Sequence, residues 1–216
     1  MNNYALLLEL IQSRRSVRRF SDRGVSREDI GRLLEAARWA PSDHNRQPWR
    51  FLVIADHQQI NHLAEIVRQG LSEKLKSLPE AAAKYAGEFT HYATFFSNAP
   101  VLLVVLHKQP VSVSAPLLAG LRNPDLVSGE PLSVAMAMQN LLLAAQSLGL
   151  GTCVLTGPLL AQDALAGGLD LPAGHDLTCL VALGHPAESP APPRRKTIEQ
   201  IAEFRNNSRH PHPTTT

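Results

Sequence analysis

The chain has 216 residues, 44% of them hydrophobic, which is enough for one domain with a sizeable core. Its net charge is only +2 and its basic residues concentrate at 14–19 and 194–196, which argues against a nucleic-acid-binding surface. The N-terminal residues do not resemble a secretory signal, and no apolar run is long enough to cross a bilayer. We therefore expect a cytoplasmic protein with neither a membrane nor a nucleic-acid partner.

Hydrophobic periodicity predicts helices and strands that alternate irregularly along the chain. The predicted helices cover residues 4–12, 26–40, 57–69, 80–97, 131–149 and 158–166, and the predicted strands cover 49–55, 101–107, 152–155 and 177–184. This pattern is typical of an α+β fold. We predict one domain over residues 1–205 and a disordered tail over residues 206–216, which are low in sequence complexity.

A basic segment, residues 13–20, follows the first predicted helix. If this segment is extended, Arg14, Ser16 and Arg18 share one face, because alternate side chains of an extended chain point the same way. Guanidinium and hydroxyl groups are suitable donors to a phosphate. The segment is therefore a candidate anion site, and a solvated basic turn is the alternative.

A polar loop, residues 41–48, follows the second predicted helix. Ser26, with Asp29 three residues later, indicates the start of that helix, and Pro41 ends it. Five hydrogen-bonding side chains then lie between two prolines, and a buried strand is predicted from Trp49 onward. A polar loop attached to a core strand suits ligand recognition, although these side chains could instead satisfy their own backbone.

Together the two segments resemble the flavin motifs of the nitroreductase family. In that family an Arg-x-Ser-x-(Arg/Lys) segment follows the first helix and a Pro-Ser-x-x-Asn-x-Gln-Pro-Trp segment follows the second, and both occur here with the same internal spacing. Weaker similarities lie at residues 139–145, 148–152, 155–157 and 192–195. The resemblance covers roughly residues 4–204.

The resemblance implies a central mixed or antiparallel sheet flanked by helices, and an intertwined homodimer with FMN at the subunit interface. It assigns cofactor binding to Arg14, Arg15, Ser16, Arg18, Pro41, Ser42, Asp43, Asn45, Leu155, Thr156, Gly157, Arg194 and Arg195. Arg14 with Arg194 or Arg195 would hold the phosphate, and Arg18 would contact the N1 and O2 edge of the flavin. No metal ligand and no catalytic side chain are expected, since flavin N5 carries the chemistry.

The activity implied by the resemblance is FMN-dependent oxidoreduction by a ping-pong mechanism. NADH or NADPH would reduce FMN, and a planar small-molecule acceptor such as a nitroaromatic or quinone would reoxidise it. The alternatives are a specialised relative that oxidises a biosynthetic intermediate or uses O₂ on its own flavin, and a flavin-binding dimer without turnover.

Four features of the sequence allow more than one interpretation. The helix at residues 133–148 is apolar on nearly every side, so it is a core helix or a subunit interface, and the resemblance favours the interface. The proline-rich segment 109–131 is either a substrate lid or a surface excursion. The aromatic stripe Tyr85, Phe89, Tyr92, Phe95 and Phe96 favours core over substrate pocket, and Cys153 and Cys179 are predicted to be buried thiols without a disulfide.

Overall fold

The computed structural model describes residues 2–76, 79, 83–109 and 129–205. Its α-helices are α1 (Asn3–Ser13), α2 (Arg27–Arg38), α3 (His57–Leu75), α4 (Ala86–Thr94), α5 (Gly129–Ser147), α6 (Gln162–Gly168) and α7 (Ile198–Ile201). Its strands are β1 (Trp49–Ile54), β2 (Val101–Lys108), β3 (Gly151–Leu155) and β4 (His175–Gly184), and 3₁₀ turns cover Asp43–Asn45, Phe95–Asn98 and Gly157–Ala161.

The four strands form one antiparallel sheet in the order β1-β2-β4-β3. Residues Val101–Leu106 of central strand β2 are buried throughout, because helices cover both faces of the sheet. Leu102 and Leu106 join the core that α3, α4 and α6 share, whereas Leu103 and Val105 join the core that α2 and α5 share. The α+β prediction is confirmed.

The start of α2 is fixed by the predicted capping interaction. The Ser26 hydroxyl accepts a hydrogen bond from the Asp29 backbone N–H at 3.0 Å and donates one to the Asp29 carboxylate at 2.7 Å. An N-cap side chain satisfies a backbone donor that the first helical turn leaves without an intrahelical partner.

Replacing this cap should therefore weaken α2. Ser26→Ala is expected to lower the free energy of unfolding by about 1 kcal/mol, measured by urea denaturation. Ser26→Asp is the matched control and should unfold close to wild type, since aspartate also caps helices. An alanine variant as stable as wild type would mean that the cap contributes nothing in this context.

Several predicted boundaries differ from the structure. Helix α3 continues to Leu75 because Val67 and Leu71 extend its buried stripe at four-residue spacing. The helix predicted at 80–97 is α4 followed by a 3₁₀ turn, with residues 80–82 outside the described part. The helix predicted at 158–166 begins as a 3₁₀ turn, and α7, a four-residue helix behind a Thr197 capping box, was not predicted.

Two helices leave apolar surface without a partner. Helix α1 buries none of its residues, and the outer face of α5 leaves Leu132 and Met136 exposed. The apolar side chains of the C-terminal stretch are also exposed, with Phe204 at 81%. Within one subunit α5 is therefore not buried on every side, so the core-helix alternative is wrong for its outer face. The subunit-interface alternative stays a prediction.

Two further expectations concern residues outside the described part. These are the disordered tail at 206–216 and most of the segment 109–131, of which residues 110–128 are not described. Among the helices that are described, none is both long enough and apolar enough to cross a membrane.

Candidate functional site

The basic segment lies along the outer edge of β3. Ser16 forms a parallel bridge with Thr152, and the Val17 N–H donates to the Thr152 carbonyl at 3.0 Å. Val17 is buried against Gly151, where an added Cβ would lie 2.8 Å from the Val17 Cβ. The glycine thus allows the extended segment to approach the sheet, and the predicted extended conformation is confirmed.

The other side of this segment is held by the chain that follows β4. Phe20 forms an antiparallel bridge with Pro186. One carboxylate oxygen of Glu188 accepts the backbone N–H groups of Arg18 at 2.6 Å and of Arg19 at 3.1 Å. Glu188 therefore fixes the backbone of the basic segment. Sequence reasoning missed this residue, which lies 170 positions from Arg18.

The arginines of the segment differ in their contacts. Arg15 donates to the carbonyl oxygens of Gln12 and Arg14, at 2.5 and 2.8 Å, so backbone groups already engage its guanidinium. Neither Arg14 nor Arg18 forms an ion pair within the described ranges. These two cations are therefore available to an anion, and their role as cofactor contacts stays a prediction.

Arg18 lines a cavity of about 240 Å³ between α4 and the end of β3. The β3 side consists of Cys153, Val154, Leu155, Thr156 and Gly157, and the α4 side consists of Phe89, Tyr92, Ala93 and Phe95. The Arg18 guanidinium carbon lies 5.8 Å from the centroid of the Tyr92 ring, within the range of a cation–π contact. The structure thus brings Arg18 together with residues 155–157, two parts of the predicted site that are distant in sequence.

The aromatic stripe is divided between the core and this cavity. Phe95 and Phe96 are buried, as predicted for a core stripe. Phe89 and Tyr92 are 37% and 50% exposed and line the cavity, whereas Tyr85 is exposed and does not line it, so the preference for a core role was wrong for these three residues. The sequence contained the signal, a helical aromatic stripe, but it did not indicate which face of the helix was buried.

Both cysteines are buried and free, as predicted. Burial raises the pKa of the Cys153 thiol, while the charges of Arg18 and Arg14 and a hydrogen bond from Ser16 oppose that rise. Burial also raises the pKa of Cys179 to about 12. Both thiols are therefore protonated at neutral pH, and Cys153 contributes a neutral surface to the cavity instead of a thiolate nucleophile.

The polar loop, residues 41–48, lies apart from this cavity and against the first turn of α5. Arg46 donates to the Glu130 carboxylate at 3.0 Å, and the Asp43 N–H donates to the Ser133 hydroxyl at 3.2 Å. Pro41 and Asn45 are exposed, and Ser42 is half-buried. No hydrogen bond or ion pair between described residues joins the loop to the cavity, so the predicted site falls into two parts within one chain.

The last predicted contacts, Arg194 and Arg195, lie in an exposed C-terminal stretch. Neither forms an ion pair with a described residue, and the structure does not join them to Arg14. Among the described residues, no group of three or more His, Cys, Asp or Glu side chains could hold a metal ion.

Comparison with known proteins identifies the family. The sequence model of the nitroreductase family matches residues 11–185, so the chain belongs to the nitroreductase family. A Methanothermobacter thermautotrophicus protein named "Putative NADH dehydrogenase/NAD(P)H nitroreductase" is 30% identical over 187 residues, which cover 85% of this chain and 79% of that protein. The chain spans only 62% of an iodotyrosine dehalogenase 1 homolog from Caenorhabditis elegans, with 28% identity over 210 residues.

Solved structures share the fold over almost the whole chain. The BluB-like flavoprotein of Clostridium difficile 630 has a TM-score of 0.81 and 29% identity, and the match covers 93% of this chain and 99% of that one. An oxidized iodotyrosine deiodinase bound to FMN and 3-iodo-L-tyrosine has a TM-score of 0.70 and 25% identity, and the match covers 92% and 100%. The nitroreductase-like fold is thus established, and FMN is the cofactor bound in a structural neighbour.

Proposed function

We propose that the chain is an FMN-dependent oxidoreductase that transfers reducing equivalents from NADH or NADPH to a planar small-molecule acceptor. The observation that carries the proposal is that Arg18 lines the cavity together with residues 155–157. Arg14 lies four residues earlier on the same segment, and neither arginine forms an ion pair with a described residue. A phosphate and a ring that gains negative charge on reduction both require fixed cations.

The residues of this chain fit that cofactor in distinct roles. Arg14 and Ser16 offer a guanidinium and a hydroxyl to the phosphate, with Arg194 or Arg195 as further donors. Arg18 would offer its charge to the N1 and O2 edge, and the backbone at residues 155–157 would lie near N5. The cofactor would supply hydride transfer between a nicotinamide and the acceptor. The protein supplies position, charge and access, and Cys153 is not a nucleophile because it is protonated.

We further propose that the active form is a homodimer. Apolar side chains are exposed to solvent on α1, on the outer face of α5 and in the C-terminal stretch, and their exposure is unfavourable. These side chains are Tyr4, Leu6, Leu7, Ile11, Leu132, Met136, Ile198, Ile201 and Phe204. A second copy would cover these surfaces and bring its own polar loop, with Pro41, Ser42, Asp43 and Asn45, to the cavity. This arrangement would unite the two parts of the site that lie apart in one chain.

The cavity wall also bears on the class of acceptor. Phe89, Tyr92 and Ala93 present aromatic and apolar surface to the cavity, and Arg18 is the one charged side chain in the described lining. This lining suits a planar acceptor that stacks on aromatic groups. A nitroaromatic or a quinone is an acceptor of this kind.

One experiment tests the proposal directly. The purified protein should have the visible spectrum of FMN, and anaerobic NADH or NADPH should bleach it. Subsequent addition of a quinone or a nitroaromatic should restore the spectrum without nicotinamide present, as a ping-pong mechanism requires.

Other outcomes would change the assignment. A yellow protein that neither nucleotide bleaches would favour the second candidate, a specialised flavoprotein that uses O₂ on its own flavin or oxidises a biosynthetic intermediate. The similarity to a BluB-like flavoprotein is the observation that keeps this candidate open. A colourless protein that FMN cannot reconstitute would refute the flavin site altogether.

A further inference from the structure

The polar loop has an unusual backbone. His44, Asn45 and Gln47 have φ values of 47°, 53° and 49°, and they are the non-glycine residues with positive φ in the described part of the chain. L-residues adopt this region at an energetic cost, although Asn and His tolerate it better than most. Such conformations persist only where surrounding contacts enforce them. The loop therefore needs an external support.

Hydrogen bonds within the loop define its shape but do not anchor it. The Asn45 N–H donates to the Ser42 carbonyl at 3.0 Å, and the Gln47 N–H donates to the Ser42 hydroxyl at 3.0 Å. The Arg46 N–H donates to the Asp43 carbonyl at 2.9 Å. All of these partners belong to the loop, so these bonds could move with the loop as one unit.

The anchors come from the first turn of α5, which presents Glu130 and Ser133 on one face. Glu130 is only 4% exposed, and Arg46 is the partner that the described contacts give its carboxylate. Ser133 is 1% exposed; its hydroxyl accepts the Asp43 N–H and donates to the Gly129 carbonyl. Gly129 also lies against the loop, where a Cβ would come within 2.6 Å of the Asp43 Cβ.

The different burial of the two charges suggests how the anchor works. A buried carboxylate without a cation is strongly disfavoured, whereas a half-exposed guanidinium is readily hydrated. Arg46 therefore compensates the buried charge of Glu130, and the ion pair ties position 46 of the loop to α5. Together with the Ser133 hydroxyl, Glu130 fixes two successive points of the loop, at Asp43 and at Arg46, on either side of the positive-φ residues 44 and 45.

We propose that Arg46, Glu130 and Ser133 are positioning residues that hold the polar loop in its strained conformation and so present Ser42 and Asn45 to the flavin. The inference rests on the proposed function for the flavin contact, but the holding of the loop itself does not depend on it. The three side chains act through the loop and do not themselves contact the cofactor.

The test uses two changes of different kinds. The double variant Arg46→Met/Glu130→Met removes both charges together, so it leaves no unpaired buried carboxylate and the fold should be retained. Ser133→Ala removes the second anchor without touching a charge. The matched control is Arg32→Met, which removes an arginine that pairs with Glu28 on the exposed face of α2, at 2.6 Å and away from the loop.

Two readouts separate the proposal from the flavin assignment. Amide hydrogen exchange of residues 43–47 in flavin-free protein reports on the loop alone, with the amides of β2 as an internal reference for global stability. The FMN dissociation constant, from flavin fluorescence, reports on the consequence for binding. We expect exchange in the loop to accelerate about tenfold in both variants and FMN to bind about tenfold more weakly, with Arg32→Met unchanged.

Each outcome has a definite meaning. Unchanged loop exchange in both variants would overturn the proposal, whatever the affinity for FMN. Faster loop exchange with unaltered FMN binding would overturn the link to the flavin and leave the proposed function intact. If wild type bound no FMN but the loop exchange still accelerated, the proposed function would fail while the anchoring role stood. Faster exchange in β2 as well would show a general loss of stability and would also count against a positioning role.

Discussion

Arg14→Ala is expected to weaken FMN binding by roughly 100-fold while the protein remains folded. Two charge-assisted hydrogen bonds to a phosphate account for a loss of this size, because each contributes more than a neutral one. Arg14 forms no ion pair with any described residue, so its removal leaves no buried carboxylate behind. The measurement is a fluorescence titration of the flavin-free protein with FMN, repeated with riboflavin, which lacks the phosphate.

The comparison with riboflavin gives this prediction its specificity. If Arg14 holds the phosphate, wild type should lose affinity when the phosphate is removed, and Arg14→Ala should bind FMN and riboflavin about equally. Arg23→Ala is the control, since it removes an exposed arginine only nine positions away. A variant that still preferred FMN as strongly as wild type does would exclude Arg14 from the phosphate site.

Arg18→Ala is expected to lower the midpoint potential of the bound flavin by roughly 30 to 60 mV. A cation beside the N1 and O2 edge stabilises the negative charge of the reduced ring. The loss of one such charge-assisted interaction is expected to lower the potential of a two-electron couple by this number of millivolts. Arg18 lies in the cavity lining and stacks near Tyr92, which holds its charge in a defined place. The potential would be measured by dye equilibration under anaerobic conditions.

Glu188→Gln provides a control of opposite sign. Its amide oxygen can still accept the Arg18 and Arg19 N–H groups, but the negative charge close to the basic segment is removed. The potential should therefore rise in this variant. A potential that does not respond to Arg18→Ala would place the guanidinium away from the ring, and a fall in Glu188→Gln would indicate that the variant had disturbed the segment itself.

Sequence reasoning predicted the parts of the fold that depend on local patterns. The strands were identified because both faces of the sheet are covered, which makes β2 a continuous apolar run at residues 101–106. The start of α2 was identified because Ser26 and Asp29 form a local cap. The cavity beside Arg18 is lined by residues of two sequence motifs, the basic segment and residues 155–157, and the family resemblance had already assigned both motifs to one site.

The residues that escaped prediction depend on long-range contacts. Glu188 and Glu130 are carboxylates whose partners lie 170 and 84 positions away, and no local pattern distinguishes them from solvated acids. Phe89 and Phe96 belong to the same aromatic stripe, and only the packing of this region decides that Phe89 lines the cavity while Phe96 is buried in the core. The positive φ values at residues 44, 45 and 47 likewise occur where no glycine indicates them.

The position of the basic segment also matters for how the protein avoids aggregation. Strand β3 is at the edge of the sheet, and the contact with Ser16 and Val17 covers only part of its free side. An open edge invites another sheet to pair with it, and nearby arginines oppose such pairing because two copies would repel each other. The same charges would thus hinder edge-to-edge pairing of newly made chains. Charge-neutralising changes at residues 14–19 would then promote aggregation during expression, apart from any effect on catalysis.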